Sequence, residues 1–218
     1  QGVTQCGTPT GQPKFPIETY QELPDPSSPS DKDWAAVTNP QISWGTIDTR
    51  YAKHRLPQLK KQQLTTLKGW RGERINAQAV VWTGTEVKDL NFSFTDFKDK
   101  KGNSLSDEAF KAGFIRYVMT DELNKDGRGA CGHRQAVDYD SLLVADPIDT
   151  NLKSMSVPAR TVQPIWVQCW IPQSATPGTY KGALLIKDGS RLLQQLNLEI
   201  LVSSRELPQP SEWAYHLD

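Results

Sequence analysis

Apolar and polar positions alternate with a period of two through most of the last sixty residues. Starting at Ile165, the residues Val167, Cys169 and Ile171 form one apolar face, while Trp166, Gln168 and Trp170 point the other way. That spacing predicts a half-buried strand. Pro172 ends it, because proline has no N–H for a strand ladder. Pro177-Gly178 combines a preset φ with a residue free to adopt positive φ, and predicts a type II turn. Tyr180, Gly182, Leu184 and Ile186 alternate along a second strand, and Asp188-Gly189 predicts a tight hairpin. Leu196, Leu198, Ile200 and Val202 form the apolar face of a third strand, opposite Gln195, Asn197 and Glu199. The three strands read as a meander within one sheet of a β-sandwich.

The same period recurs upstream. Residues 41–47 read as a first strand. Ile75, Ala77, Ala79 and Val81 alternate over 74–83, their small side chains implying close approach of another element. Leu90, Phe92 and Phe94 alternate over 87–97, and 113–120 form a further strand. Helix is scarce. One turn is expected over 31–37, capped by Asp31 or Asp33, and a short helix or turn over 103–112. The basic stretch 50–62, broken by Pro57, reads as a solvated connection. Residues 121–160 show no period and are too long for a plain loop, so they are expected to cover or contact something. Residues 1–30 hold six prolines and few apolar side chains, and read as an extended leader lying on the domain or disordered. The expected fold is therefore all-β: a sandwich of mainly antiparallel strands over 31–207, with short helical turns and a Pro-rich N-terminal leader.

Charge narrows the function. The chain carries 25 Lys+Arg and 25 Asp+Glu, a net charge of zero, which removes the usual basis for binding nucleic acid. No apolar run approaches about 18 residues, so no transmembrane helix is expected. Residues 1–5, QGVTQ, lack a signal peptide's charge and apolar stretch and read as a processed or engineered end. Cys6, Cys131 and Cys169 cannot all pair. Cys169, on an inward strand face, reads as a small hydrophobe; a Cys131–Cys169 or Cys6–Cys131 disulfide is the alternative.

Three places offer chemistry. Trp70-Arg71-Gly72-Glu73-Arg74 sets two guanidiniums and a carboxylate around a glycine. It reads as an internal Arg–Glu pair with Trp70 over it, or as a clamp on an anionic or hydroxylated ligand. Among seven tryptophans, Trp166 and Trp170 share a strand face and could stack on sugar rings, as could Trp82, unless they are buried. Arg128, Cys131 and His133 lie in a glycine-rich loop that lacks the Lys-Ser/Thr of a phosphate loop and a second metal-ligand pair. It reads as a loop making a specific contact. Asp138, Asp140, Asp146 and Asp149 lack calcium-loop spacing and read mostly as caps and turn residues. No cofactor is expected.

Several of these pieces match one pattern. Trp34-Ala-Ala-Val-Thr-Asn-Pro40, Ser43-Trp-Gly45, Tyr51, Trp70-Arg-Gly-Glu-Arg74 and Ala77-Gln-Ala-Val-Val-Trp82 resemble the N-terminal domain of glycoside hydrolase family 123. So do Cys131-Gly132, Val144-Ala-Asp146, Val157-Pro-Ala-Arg160, Pro164-Ile-Trp166 and Pro177-Gly-Thr-Tyr-Lys-Gly182. The resemblance spans about residues 31–218. It implies a secreted, periplasmic or cell-surface bacterial glycan-degrading protein, with N-acetylgalactosaminidase activity in founding members. Its catalytic acidic pair sits in a (β/α)8 barrel that follows the sandwich, so no catalytic residue carries over to this chain. The expected role is a non-catalytic accessory domain partnering a downstream barrel; the alternative is an autonomous carbohydrate-binding module. On this resemblance residues 208–218, with Trp213, Tyr215 and Leu217 alternating, begin the linker or first barrel strand. That tail and the 126–146 loop are then expected to share the face where the barrel docks.

Overall fold

The computed structural model describes residues 22, 28–120 and 142–212. Among the described residues, twelve strands form two facing sheets. The first holds β1 (Gln41–Gly45), β3 (Arg74–Thr83), β10 (Thr161–Trp170), β7 (Phe110–Thr120) and β8 (Leu142–Asp149), in that order. The second runs β2 (Leu64–Arg71), β12 (Arg191–Glu206), β11 (Gly178–Asp188), β4 (Val87–Phe94) and β9 (Ser154–Val157), with the short β5 (Phe97–Lys98) and β6 (Ser104–Leu105) attached through β11. Ladders are antiparallel, except that β2 lies parallel to β12. The fold is the expected all-β sandwich, with one helical turn at Asp31–Trp34 and a 3-10 turn at Asp107–Ala109.

The predicted inward residues meet between the sheets. Ile75, Ala77, Ala79, Val81, Val167, Cys169 and Ile171 come from one side; Tyr180, Leu184, Ile186, Leu196, Leu198, Ile200 and Val202 come from the other. Alternation therefore identified the buried face correctly, but not the sheet to which each strand belongs. The three C-terminal strands are not one meander. β10 belongs to the first sheet, β11 and β12 to the second, and Ile171–Pro177 carries the chain across the core. The physical reason is that both sheets present apolar faces to one core, so the period is the same on either side. The predicted type II turn does not form either: Gly178 lacks positive φ and opens β11 opposite Val202. The Asp188-Gly189 hairpin does form, with Gly189 at φ 59°.

Other expectations shift in detail. Ser30, rather than Asp31 or Asp33, caps the first helical turn by accepting from Asp33 N–H. The basic stretch 50–62 is not a free connection. Tyr51 is buried with Trp34, Val80, Trp82 and Val162, and Leu56 and Leu59 pack against that cluster. Backbone bonds hold it there: Ala145 N–H donates to Tyr51 O, and Lys53 N–H to Leu143 O. The apolar members of a basic run thus cover the outer face of the first sheet while its charges reach solvent. The aperiodic span contributes two strands, β8 and β9. The Pro-rich leader, apart from Glu22 and Ser28–Ser30, and the segment 121–141 lie outside the described residues, as does Cys131. Cys169 is a free, buried thiol, which removes the Cys131–Cys169 pairing.

Candidate functional site

The Trp70–Arg74 block is a junction. β2 ends at Arg71 and β3 begins at Arg74, so two residues, Gly72 and Glu73, carry the chain from one sheet to the other. Gly72 adopts φ 85°, a conformation in which a side chain would be strained. The turn is laced to the end of β10: Gly72 N–H donates to Ile171 O at 2.8 Å, and Ile171 N–H donates to Glu73 O at 2.9 Å. The Glu73 carboxylate accepts the Trp70 N–H at 2.7 Å.

The expected internal Arg–Glu pair is absent among the described contacts. Arg71 instead donates to Gln173 O at 3.0 Å and pairs with Glu206 at 3.0 Å, while Leu207 N–H donates to Arg71 O at 2.8 Å. One arginine therefore ties the β2 end to the crossover after β10 and to the chain leaving β12.

Arg74 and Arg205 each cover an indole. The Arg74 guanidinium lies 4.7 Å from the Trp170 ring centroid, and that of Arg205 lies 5.5 Å from Trp70. Such contacts contribute about 0.5–1 kcal/mol each at exposed sites. Trp170 donates its Nε1–H to Gly72 O at 3.2 Å and still leaves 54% of its surface exposed; Trp70 leaves 38%. Trp170 borders an open groove of about 1090 Å³ lined also by Arg74, Ser106, Glu108, Gln173 and Leu207. An exposed indole with a cation, a carboxylate and an amide around it can take a flat apolar face that carries hydrogen-bonding groups on its edge.

Trp166 does not complete a platform with Trp170. It shares the outer strand face, but it is half-buried against Tyr117 and its neighbours and donates to Asn76 Oδ1 at 3.2 Å. Trp82, only 6% exposed, sits in the cluster with Trp34 and Tyr51 and offers no stacking surface. Arg128, Cys131, His133 and Trp213 lie outside the described residues. The strands that lead into and out of 121–141 pair at Thr120 and Leu142, beyond the end of the first sheet opposite Trp170. The C-terminal exit, by contrast, runs beside the groove. Sequence reasoning missed Ser106, Glu108, Gln173, Arg205 and Glu206, which come from separate segments and carry no motif. Among the described residues, no group of His, Cys, Asp and Glu could hold a metal ion. No helix among them is long and apolar enough to cross a membrane.

Residues 44–188 match the family described as the glycoside hydrolase 123 N-terminal domain. The chain belongs to that family. This glycoside hydrolase 123 N-terminal domain is similar to a solved family 123 glycoside hydrolase from Clostridium perfringens, an enzyme of glycolipid glycan hydrolysis. Identity is 21% and the TM-score 0.62, over 80% of this chain and 29% of that one. The chain thus spans less than a third of that enzyme, and the likeness is one of fold. A PapD-like domain of human CEP192 aligns at 10% identity and TM-score 0.37, over 88% of this chain and 100% of that one. The N-terminal domain of PorA aligns at 8% identity and TM-score 0.34, over 76% and 99%. Scores that low carry no functional argument. No curated protein sequence matches the chain significantly.

Proposed function

We propose that the domain is a non-catalytic module that holds and orients a downstream (β/α)8 barrel of a glycan-degrading hydrolase, with the groove end of the sandwich facing that barrel. The observation that carries this reading is the course of the chain: Leu207, Pro208 and Gln209 leave β12 as part of the groove wall, beside the exposed Trp170. Arg71 anchors the start of that exit through Leu207 and Glu206. An anchored exit beside an exposed aromatic suits a docked neighbour better than a swinging one. Secretion or periplasmic placement of the parent belongs to this proposal and is tested by cell fractionation.

The test compares the isolated domain with a polypeptide extended through the barrel. The domain alone turns over no aryl N-acetylgalactosaminide, the extended protein does, and hydrogen exchange slows at Trp170 and Leu207–Gln209 on extension. Turnover by the domain alone, or unchanged exchange at the groove, overturns the assignment.

A second reading, direct sugar binding, is favoured by the exposed Trp170 with its polar rim. N-Acetylgalactosamine oligosaccharides would then quench tryptophan fluorescence saturably in the wild type and leave Trp170→Ala unaffected.

A further inference from the structure

A second cluster of charge lies on the outer face of the first sheet, at the opposite end from the groove. Lys53 Nζ donates to Glu22 Oε2 at 2.7 Å, and Arg116 Nε donates to Glu22 Oε1 at 3.0 Å. Arg116 Nη1 also lies 3.5 Å from Asp149 Oδ2, and Lys53 Nζ sits 5.3 Å from the centroid of the buried Tyr117 ring. All three side chains are less than a fifth exposed: 19% for Lys53, 15% for Glu22 and 16% for Arg116.

The backbones that carry the two cations are placed by the sheet. Lys53 is fixed by its own backbone, which donates to Leu143 O and accepts from Val162 N–H. Arg116 sits where the β7–β8 ladder shifts register between Ile115 and Tyr117, opposite a bulge at Asp146 and Pro147 of β8. The anion comes from far along the chain, 31 residues from Lys53 and 94 from Arg116. When that carboxylate leaves, Lys53 Nζ loses the oxygen it donates to in a dry site, while Arg116 keeps Asp149. The geometry is that of an oxyanion site with a resident occupant.

We propose that Lys53 and Arg116 form an anion-binding site which Glu22 fills from within the chain, and which accepts a small oxyanion, a carboxylate or sulfate group, when Glu22 is withdrawn. An acidic group on a glycan and a free inorganic oxyanion share the chemistry the site reads, two donors converging on two oxygens.

The full-length Glu22→Ala and Glu22→Gln proteins test this, with inorganic sulfate and glucuronate as probes and chloride at matched ionic strength as control. Sulfate stabilises folded proteins generally, so the readout is the difference from wild type. We expect a saturable rise in melting temperature in both variants that the wild type lacks. Adding Lys53→Met should weaken the apparent affinity by roughly tenfold or more, the cost of one charged donor. A response to sulfate alone assigns a free oxyanion, and a response to glucuronate as well assigns the acidic group of a glycan. Responses equal to wild type with both probes, or unaffected by Lys53→Met, overturn the site.

Discussion

Glu73 accepts the backbone N–H of Trp70 at 2.7 Å, three residues back in its own turn, and leaves both flanking arginines to other partners. The carboxylate braces the two-residue link between the sheets. Glu73→Ala should lower stability by about 1 kcal/mol, the usual net worth of such a bond. Glu206→Ala, which removes the Arg71 partner instead, should loosen the exit after β12. Urea unfolding measures the first effect, and hydrogen exchange at Leu207 the second. An unchanged unfolding midpoint in Glu73→Ala would show that the cap contributes nothing.

Gly182 lies beneath an aromatic ring. A Cβ at that position would fall 2.6–2.7 Å from the ring atoms of Phe97. Phe97 has no room to retreat, being buried and stacked on Phe110 with centroids 4.1 Å apart. Gly182→Ala should therefore cost about 1–3 kcal/mol through overpacking. Thermal melting checks it; a melting temperature equal to wild type would mean that the ring shifts freely.

Burial raises the pKa of Glu22, but the hydrogen bonds and charges of Lys53 and Arg116 outweigh it and leave the pKa below 4.5. A depressed folded value means that the contact stabilises fully above the unfolded value near 4.5 and is lost as the pH falls through the folded one. Lys53 and Arg116 face this carboxyl, Asp149 lies against Arg116, and the charge of Glu22 acts on the buried Tyr117. The wild type should thus exceed Glu22→Gln in urea midpoint at neutral pH, and the gap should close well below 4.5. A gap of equal size at both pH values would remove the ionic contribution.

Burial pushes the Cys169 thiol up to about 12, so almost none of it is thiolate at neutral pH. Cys169 should resist alkylation in the native protein and react on unfolding, as peptide mapping after iodoacetamide treatment would show. Rapid native labelling would place the thiol outside the core.

The sequence carried the buried faces because the inward residues of β3, β10, β11 and β12 repeat with period two whatever sheet they join. It could not assign the sheets, since Val167 and Leu198 read alike from opposite sides of one core. β2 went unseen for a different reason. Its inward positions, Thr65, Leu67, Gly69 and Arg71, alternate with exposed ones but are not an apolar series, so its period shows only in the pairing with β12. The motifs were visible, but not their roles. Gly72 is required by its φ and Gly182 by the Phe97 ring, so two blocks of the family pattern record turn geometry and packing. Of the groove, Trp170 was legible as an outward aromatic. Ser106, Glu108 and Gln173 were not, because residues brought together from distant segments leave no local spacing.

The parallel pairing of β2 with β12 sets the order in which this domain can be made. Leu64 lies opposite Asn197, 133 residues later (197 − 64). During synthesis β2 emerges early and has no ladder until β12 follows, with nearly the whole domain already outside the ribosome. Closing so long a loop adds entropy cost and slows folding relative to a chain of local hairpins. A nascent chain halted before Glu206 would leave β2 without the full length of its partner, so the sandwich is completed only when β12 has been made.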